Sequence, residues 1–136
     1  MAAAAHGCCI RLRLFGRIGD LYVMEPMGEL FEQINPAGRD PKLVARELGE
    51  LQKAMGWLEA YLTGDDHAVG SSLTLADCEL VPVLFFFHQM GPMFGSVNPL
   101  QQFPKADAYY KGIAKEPAAE KVLAELDIAL RRMTAG

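Results

Sequence analysis

One stretch constrains this chain more than any other: Gly70-Ser71-Ser72-Leu73-Thr74-Leu75-Ala76-Asp77, followed by an apolar run from Leu80 to Phe87. Thr74 is an N-cap residue type, and its hydroxyl can accept from the backbone N–H of Asp77. The Asp77 carboxylate, three residues on, can accept in return from the Thr74 N–H, which makes a capping box with Asp in the usual Glu position. Leu73 before the cap and Cys78 four residues after it are placed as a hydrophobic staple. The helix begun here, Leu75 to about Met90, is apolar on nearly all sides, the pattern of a rod at the centre of a bundle. Its first turn must then be buried as well, and the free N–H groups of a buried helix end need partners inside the protein. Pro82 falls within this helix and is expected to kink it.

The remaining pattern is helical throughout, with no convincing period-2 strand. A first helix is expected from about Cys8 to Ile34, with Ile10, Leu14, Ile18 and Leu21 at helical spacing and a bend at Pro26. Asn35-Pro36-Ala37-Gly38 reads as a loop. Asp40-Pro41 opens a second helix as N-cap and first-turn proline. Val44, Leu48, Leu51, Met55, Leu58 and Leu62 give it one apolar seam, and Gly64 ends it. After the central helix, Pro104 to Lys115 and Ala118 to Met133 form two more, the last with Val122, Leu126, Leu130 and Met133 on its core side. The expected fold class is therefore all-α, a bundle of five to six helices around a buried helix that starts at Thr74. Residues 1–7 are expected as a disordered lead-in and residues 8–136 as one helical domain.

The combination of Gly70, Thr74, Ala76, Asp77 and Pro82 resembles the buried N-capping box of the C-terminal domain of the glutathione S-transferase family. Phe103-Pro104, Tyr109 and Glu116-Pro117 resemble a second segment of that family at the right distance downstream. The resemblance runs from about Ile10 to Met133. It implies a second, thioredoxin-like N-terminal domain, which normally binds glutathione and stabilises its thiolate. No βαβ segment precedes the first helix here, so the chain alone is expected to lack a complete active site and to bind no cofactor. Glutathione would be a co-substrate only where an N-terminal domain is supplied.

Under that resemblance, Tyr22, Glu25, Pro26 and Met27 on the first helix, with Phe87, Met90, Met93 and Phe94 at the end of the central one, are the expected wall of a pocket for a small hydrophobic electrophile. Tyr offers an apolar ring with a polar tip, and Met adapts to varied apolar shapes. Thr74 and Asp77 are expected to be structural, since capping already uses both side chains, and no residue is assigned a catalytic role. His88 is read as a core or surface histidine, and Trp57 and Tyr61 as a packed pair on one helix face. The expected partners are a second copy of the chain or a thioredoxin-like domain. The alternative reading is a non-catalytic helical module for dimerisation or protein interaction.

Composition narrows the choice further. Hydrophobic residues make 51% of 136, enough for a real core. The net charge of −4 comes without a basic patch, which argues against a nucleic-acid partner. Cys8, Cys9 and Cys78 do not make a disulfide framework, His6, His67 and His88 lack metal-ligand spacing, and the apolar run is too short for a bilayer. A reducing compartment, the cytoplasm, is the expected location.

Overall fold

The central rod forms as its sequence dictates. In the computed structural model, which describes residues 2–135 (side chains from residue 6), α4 spans Leu75–Met90 with Thr74 as its N-cap. Leu80 and Leu84 are fully buried, and Val81, Val83, Phe85, Phe87 and Met90 nearly so. The other helices gather around it: α1 (Ala2–Arg17), α2 (Met24–Glu32), α3 (Pro41–Tyr61), α5 (Pro104–Ile113) and α6 (Pro117–Ala135). Among the described residues there is no strand, so the all-α bundle stands as expected.

The first rod differs from expectation in two ways. It begins at Ala2, so the segment expected as a lead-in is helical from residue 2; four successive alanines, the best helix formers, extend it. Its expected bend takes the form of a π-helical stretch, Ile18–Val23, that joins α1 to α2. The Met24 N–H reaches back five residues to the Gly19 carbonyl. Pro26 lacks an N–H and its ring crowds the carbonyl four residues earlier, and a π turn just ahead widens the backbone to make room.

This rod packs on α4 and α3 together. It closes on α4 through glycines: a side chain at position 16 would meet the Glu79 carboxylate, whereas one at Gly19 would make ordinary contact with Val83, 3.5 Å away. Asp40 caps α3 by accepting from the N–H groups of Lys42 (2.9 Å) and Leu43 (3.3 Å). Past its end, Gly64 takes a left-handed φ of +86°, a conformation that costs glycine least.

α5 is capped from another helix. Phe103 offers no side-chain cap. Instead the Glu59 carboxylate of α3 accepts from the N–H groups of Lys105 and Ala106, both at 2.9 Å. A carboxylate at a helix N-terminus satisfies orphan donors and meets the positive end of the helix dipole.

α6 departs from expectation. Its predicted core stripe is half-buried at best: Val122 is 40% exposed and Met133 77%, and Ala119 is its one buried residue. The helix touches α4 near its beginning, and nineteen residues at about 1.5 Å each carry the rest beyond that contact.

Gly91, just after α4, lies against Pro99; a Cβ there would come within 2.6 Å of the proline ring. The ring is rigid, so Gly91→Ala is expected to cost about 1–3 kcal/mol, while Gly19→Ala stays within about 1 kcal/mol of the parent. Paired thermal melts of the two variants check this.

Candidate functional site

Asp77 is the polar centre of the domain, and it is fully buried. Its Oδ2 accepts from the Thr74 N–H at 2.8 Å and from the Thr74 hydroxyl at 3.2 Å. Its Oδ1 accepts from the Ala68 N–H at 2.9 Å and the Tyr109 hydroxyl at 2.8 Å. Thr74 and Asp77 thus form the expected capping box. The threonine side is its weaker half: the Asp77 N–H makes its bond to the Thr74 carbonyl at 3.1 Å, and the hydroxyl turns its proton to the carboxylate. Leu73 and Cys78 line one shallow groove, both on its exposed side.

The carboxylate therefore ties three segments into one unit: the loop before α4, α4 itself, and α5. All its visible bonds are structural, in keeping with the assignment of Thr74 and Asp77 to folding. Nearby, His67 Nε2 lies 2.8 Å from Glu116 Oε1 and fastens the same loop to the α5–α6 junction.

Burial, reinforced by the negative Asp77 and its hydrogen bond, pushes the Tyr109 hydroxyl well above the usual tyrosine range. Burial raises Tyr110 as well. In the unfolded chain a tyrosine releases its proton near about pH 10. The folded protein holds it, so this contribution is complete below that pH and is lost as pH rises beyond it. Thermal melts taken at increasing pH are expected to show a decline above about pH 10 that is shallower in Tyr109→Phe.

The eight expected pocket residues do not share one cavity. Tyr22, Glu25 and Pro26 line a groove of about 430 Å³ between the first rod and α3, opposite Arg46, Glu47 and Glu50. Glu47 is buried, and Arg46 binds it at 2.7 Å; that bond raises the Arg46 guanidinium further above its usual range. Phe87, Met90 and Phe94 instead line a cavity of about 150 Å³ with Leu30, Leu48 and Leu51. Met27 is fully buried and lines neither. Met93 contributes its backbone carbonyl to Arg39 at 3.4 Å. Helical spacing explains the split: positions 22, 25, 26 and 29 form one stripe of the rod, while 27 and 30 lie on the next stripe, toward the core.

The aromatic on the outer stripe has a partner across the groove. The rings of Tyr22 and Trp57 meet edge to face at 5.1 Å, both about half exposed. Among the described residues the ring contact of Trp57 is thus with Tyr22 of the first rod, not with Tyr61 on its own helix. Tyr61 is also half exposed, and its carbonyl accepts from Arg11.

Arg39 carries no signal in the sequence. Its Nε donates to the Gln33 carbonyl at 2.8 Å and its terminal nitrogen to the Ile34 carbonyl at 3.0 Å, and its guanidinium lies 4.6 Å from the Phe94 ring centre. His88 is partly buried beside Tyr110, and its Nδ1 has no hydrogen-bond partner among the described residues. Cys8, Cys9 and Cys78 are free and exposed. Among the described residues no group of three or more His, Cys, Asp or Glu side chains is placed to hold a metal ion, and no helix is long and apolar enough to cross a membrane.

Residues 41–112, more than half of the chain, match the family described as glutathione S-transferase, C-terminal domain. That segment holds α3, the Asp77 centre, α4 and most of α5. No curated protein matches the chain significantly.

Proposed function

The chain belongs to the glutathione S-transferase C-terminal domain family, and on that premise we propose that it is the helical half of a glutathione-conjugating protein. In this reading it holds a small hydrophobic electrophile in the Phe87–Met90–Phe94 cavity. A thioredoxin-like domain holds glutathione and keeps its thiol ionised. The thiolate is the nucleophile, and a thiol is mostly protonated at neutral pH unless its surroundings favour the charged form. The helical half contributes by concentrating and orienting the second reactant, which is catalysis by proximity.

The observation that carries this reading is the cavity itself. Its walls are apolar, a few polar residues stand at its mouth, and it is built on the rod whose entry Asp77 fixes. Ligand sites commonly combine apolar walls with few polar groups. The free, exposed cysteines favour a reducing compartment such as the cytoplasm.

The test uses the chain alone and the chain joined to a thioredoxin-like transferase domain, each with glutathione and an activated aryl chloride. The chain alone is expected to bind no glutathione by calorimetry and to give only the uncatalysed rate, and the joined protein to conjugate. Turnover by the chain alone would overturn the assignment of glutathione to a separate domain. Failure of the joined protein to turn over would overturn the transferase reading.

A second reading, a module for self-association or protein interaction, is favoured by two exposed surfaces: the Tyr22–Trp57 pair with Tyr61, and the half-buried stripe of α6. A homodimer through the Tyr22–Trp57 face serves either reading. Sedimentation of the parent chain and of Trp57→Ala decides it: a dimer weakened by the substitution supports that face, and a monodisperse parent monomer sinks it.

A further inference from the structure

The cavity at the end of α4 is small and open on one side, and a short strap forms part of its wall. At about 150 Å³ it matches the dry cavities of about 150 Å³, lined by Leu, Ile and Phe, that take up one benzene ring. It is far below the roughly 300–1,000 Å³ of sites for larger ligands. Its mouth carries Gln52 and Gln102, both exposed. Neither side-chain amide has a hydrogen-bond partner among the described residues. A ligand that fills the walls with one ring can therefore still meet a polar partner at the opening.

The strap is the turn Gly91–Phe94 that follows α4, closed by Gly95 with a left-handed φ of +94° and by a bond from the Ser96 N–H to the Gly91 carbonyl at 2.9 Å. It supplies Phe94 and Ser96 to the lining. Gly91 fixes one end of the strap against Pro99. Arg39 fixes the other. Its guanidinium covers the Phe94 ring, donates to Met93 within the strap, and is itself held by the carbonyls of Gln33 and Ile34 at the end of the first rod. A planar guanidinium can lie flat on a ring while its edge donates to several carbonyls, an arrangement that the compact lysine ammonium does not reproduce.

We propose that this cavity selects monocyclic aromatic compounds bearing one hydrogen-bonding substituent, and that Arg39, by clamping Phe94, sets the one-ring limit. The proposal rests on the reading above in taking the cavity as the electrophile site, and it narrows the substrates to single-ring compounds. Gln52 or Gln102 meets the polar substituent. A second fused ring would have to displace the strap or lie outside the apolar walls, toward the mouth. Arg39 is a positioning residue here, acting through Phe94.

The experiment is binding of phenol and of 1-naphthol to the chain alone, without glutathione, followed by calorimetry and by chemical-shift changes. The parent is expected to bind phenol at least about tenfold more tightly than 1-naphthol. Leu48→Phe, which fills the cavity, is expected to weaken phenol by about tenfold or more while circular dichroism and the melt stay near the parent. Arg39→Lys is expected to narrow the difference between phenol and 1-naphthol. No phenol binding, equal phenol binding in Leu48→Phe, or naphthol binding as tight as phenol in the parent overturns the one-ring site; unchanged selectivity in Arg39→Lys overturns the clamp. The two readings separate cleanly. Phenol binding with no conjugation by the joined protein removes the transferase reading and leaves the site. Conjugation of a two-ring electrophile without phenol binding does the reverse.

Discussion

Asp77→Ala is expected to cost about 3–5 kcal/mol, a large part of the roughly 5–15 kcal/mol that holds a domain folded. The substitution removes the acceptor of four hydrogen bonds at a site with no solvent exposure. The Ala68 N–H, the Thr74 N–H and the Tyr109 hydroxyl are then left without their partner, and each buried donor costs about 1–3 kcal/mol. A simple exposed cap would give only about 0.5–2 kcal/mol, so the magnitude itself reports burial and the long-range bonds. The melting temperature should fall by roughly 10–20 °C. Thr74→Ala, which keeps the Thr74 N–H bond to Asp77, should stay within about 0.5–2 kcal/mol. Equal losses in the two variants would show that Asp77 acts only as a local cap. Asp77→Asn keeps the shape but offers an amide N–H₂ where an acceptor is needed, so it should fall between the two.

Leu84→Ala should cost about 2–5 kcal/mol by chemical denaturation. Leu84 is fully buried at the middle of α4, the rod that the first rod, α5 and α6 all touch. Removing its branched end forfeits the transfer of those carbons from water and leaves a void that surrounding helices close only in part. A control stands close by in sequence: Val97 is 92% exposed, and Val97→Ala should change stability by no more than about 0.5 kcal/mol. A loss below about 1 kcal/mol for Leu84→Ala would mean that the helices around α4 can slide to refill the space, contrary to close packing.

These expectations also mark where the sequence was readable. Features made within four or five residues were legible: the Thr74–Asp77 box, the Asp40–Pro41 start, the stop near Gly64 and the all-round apolar character of α4. Each is a local pattern with a local cause. Features made across the chain were not. The Asp77–Tyr109 bond spans 32 residues, the Glu59 cap on α5 47, and the Arg39 bond to Met93 54. No short-range periodicity marks any of these. The pocket residues fall between the two cases. Their type suited an apolar site, but the stripe of the rod on which each one lies decides its neighbours, so Tyr22 and Met27, five residues apart, end in different surroundings. The last helix shows the remaining gap: a regular apolar stripe states that a helix has a preferred face, not that this chain supplies the cover.

The carboxylate lent by α3 to α5 has a consequence for the order in which the domain can assemble. Ten residues are too few for a helix to persist alone in water. α5 has no side-chain cap of its own, so its first turn becomes durable only once Glu59 is already in place on α3. The two helices should open together as one cooperative unit, and the amide protons of Lys105 and Ala106 should exchange with solvent at the pace set by α3. Loss of that one acidic group would loosen the coupling and fray the first turn of α5, while Tyr109 still holds the middle of the helix to Asp77.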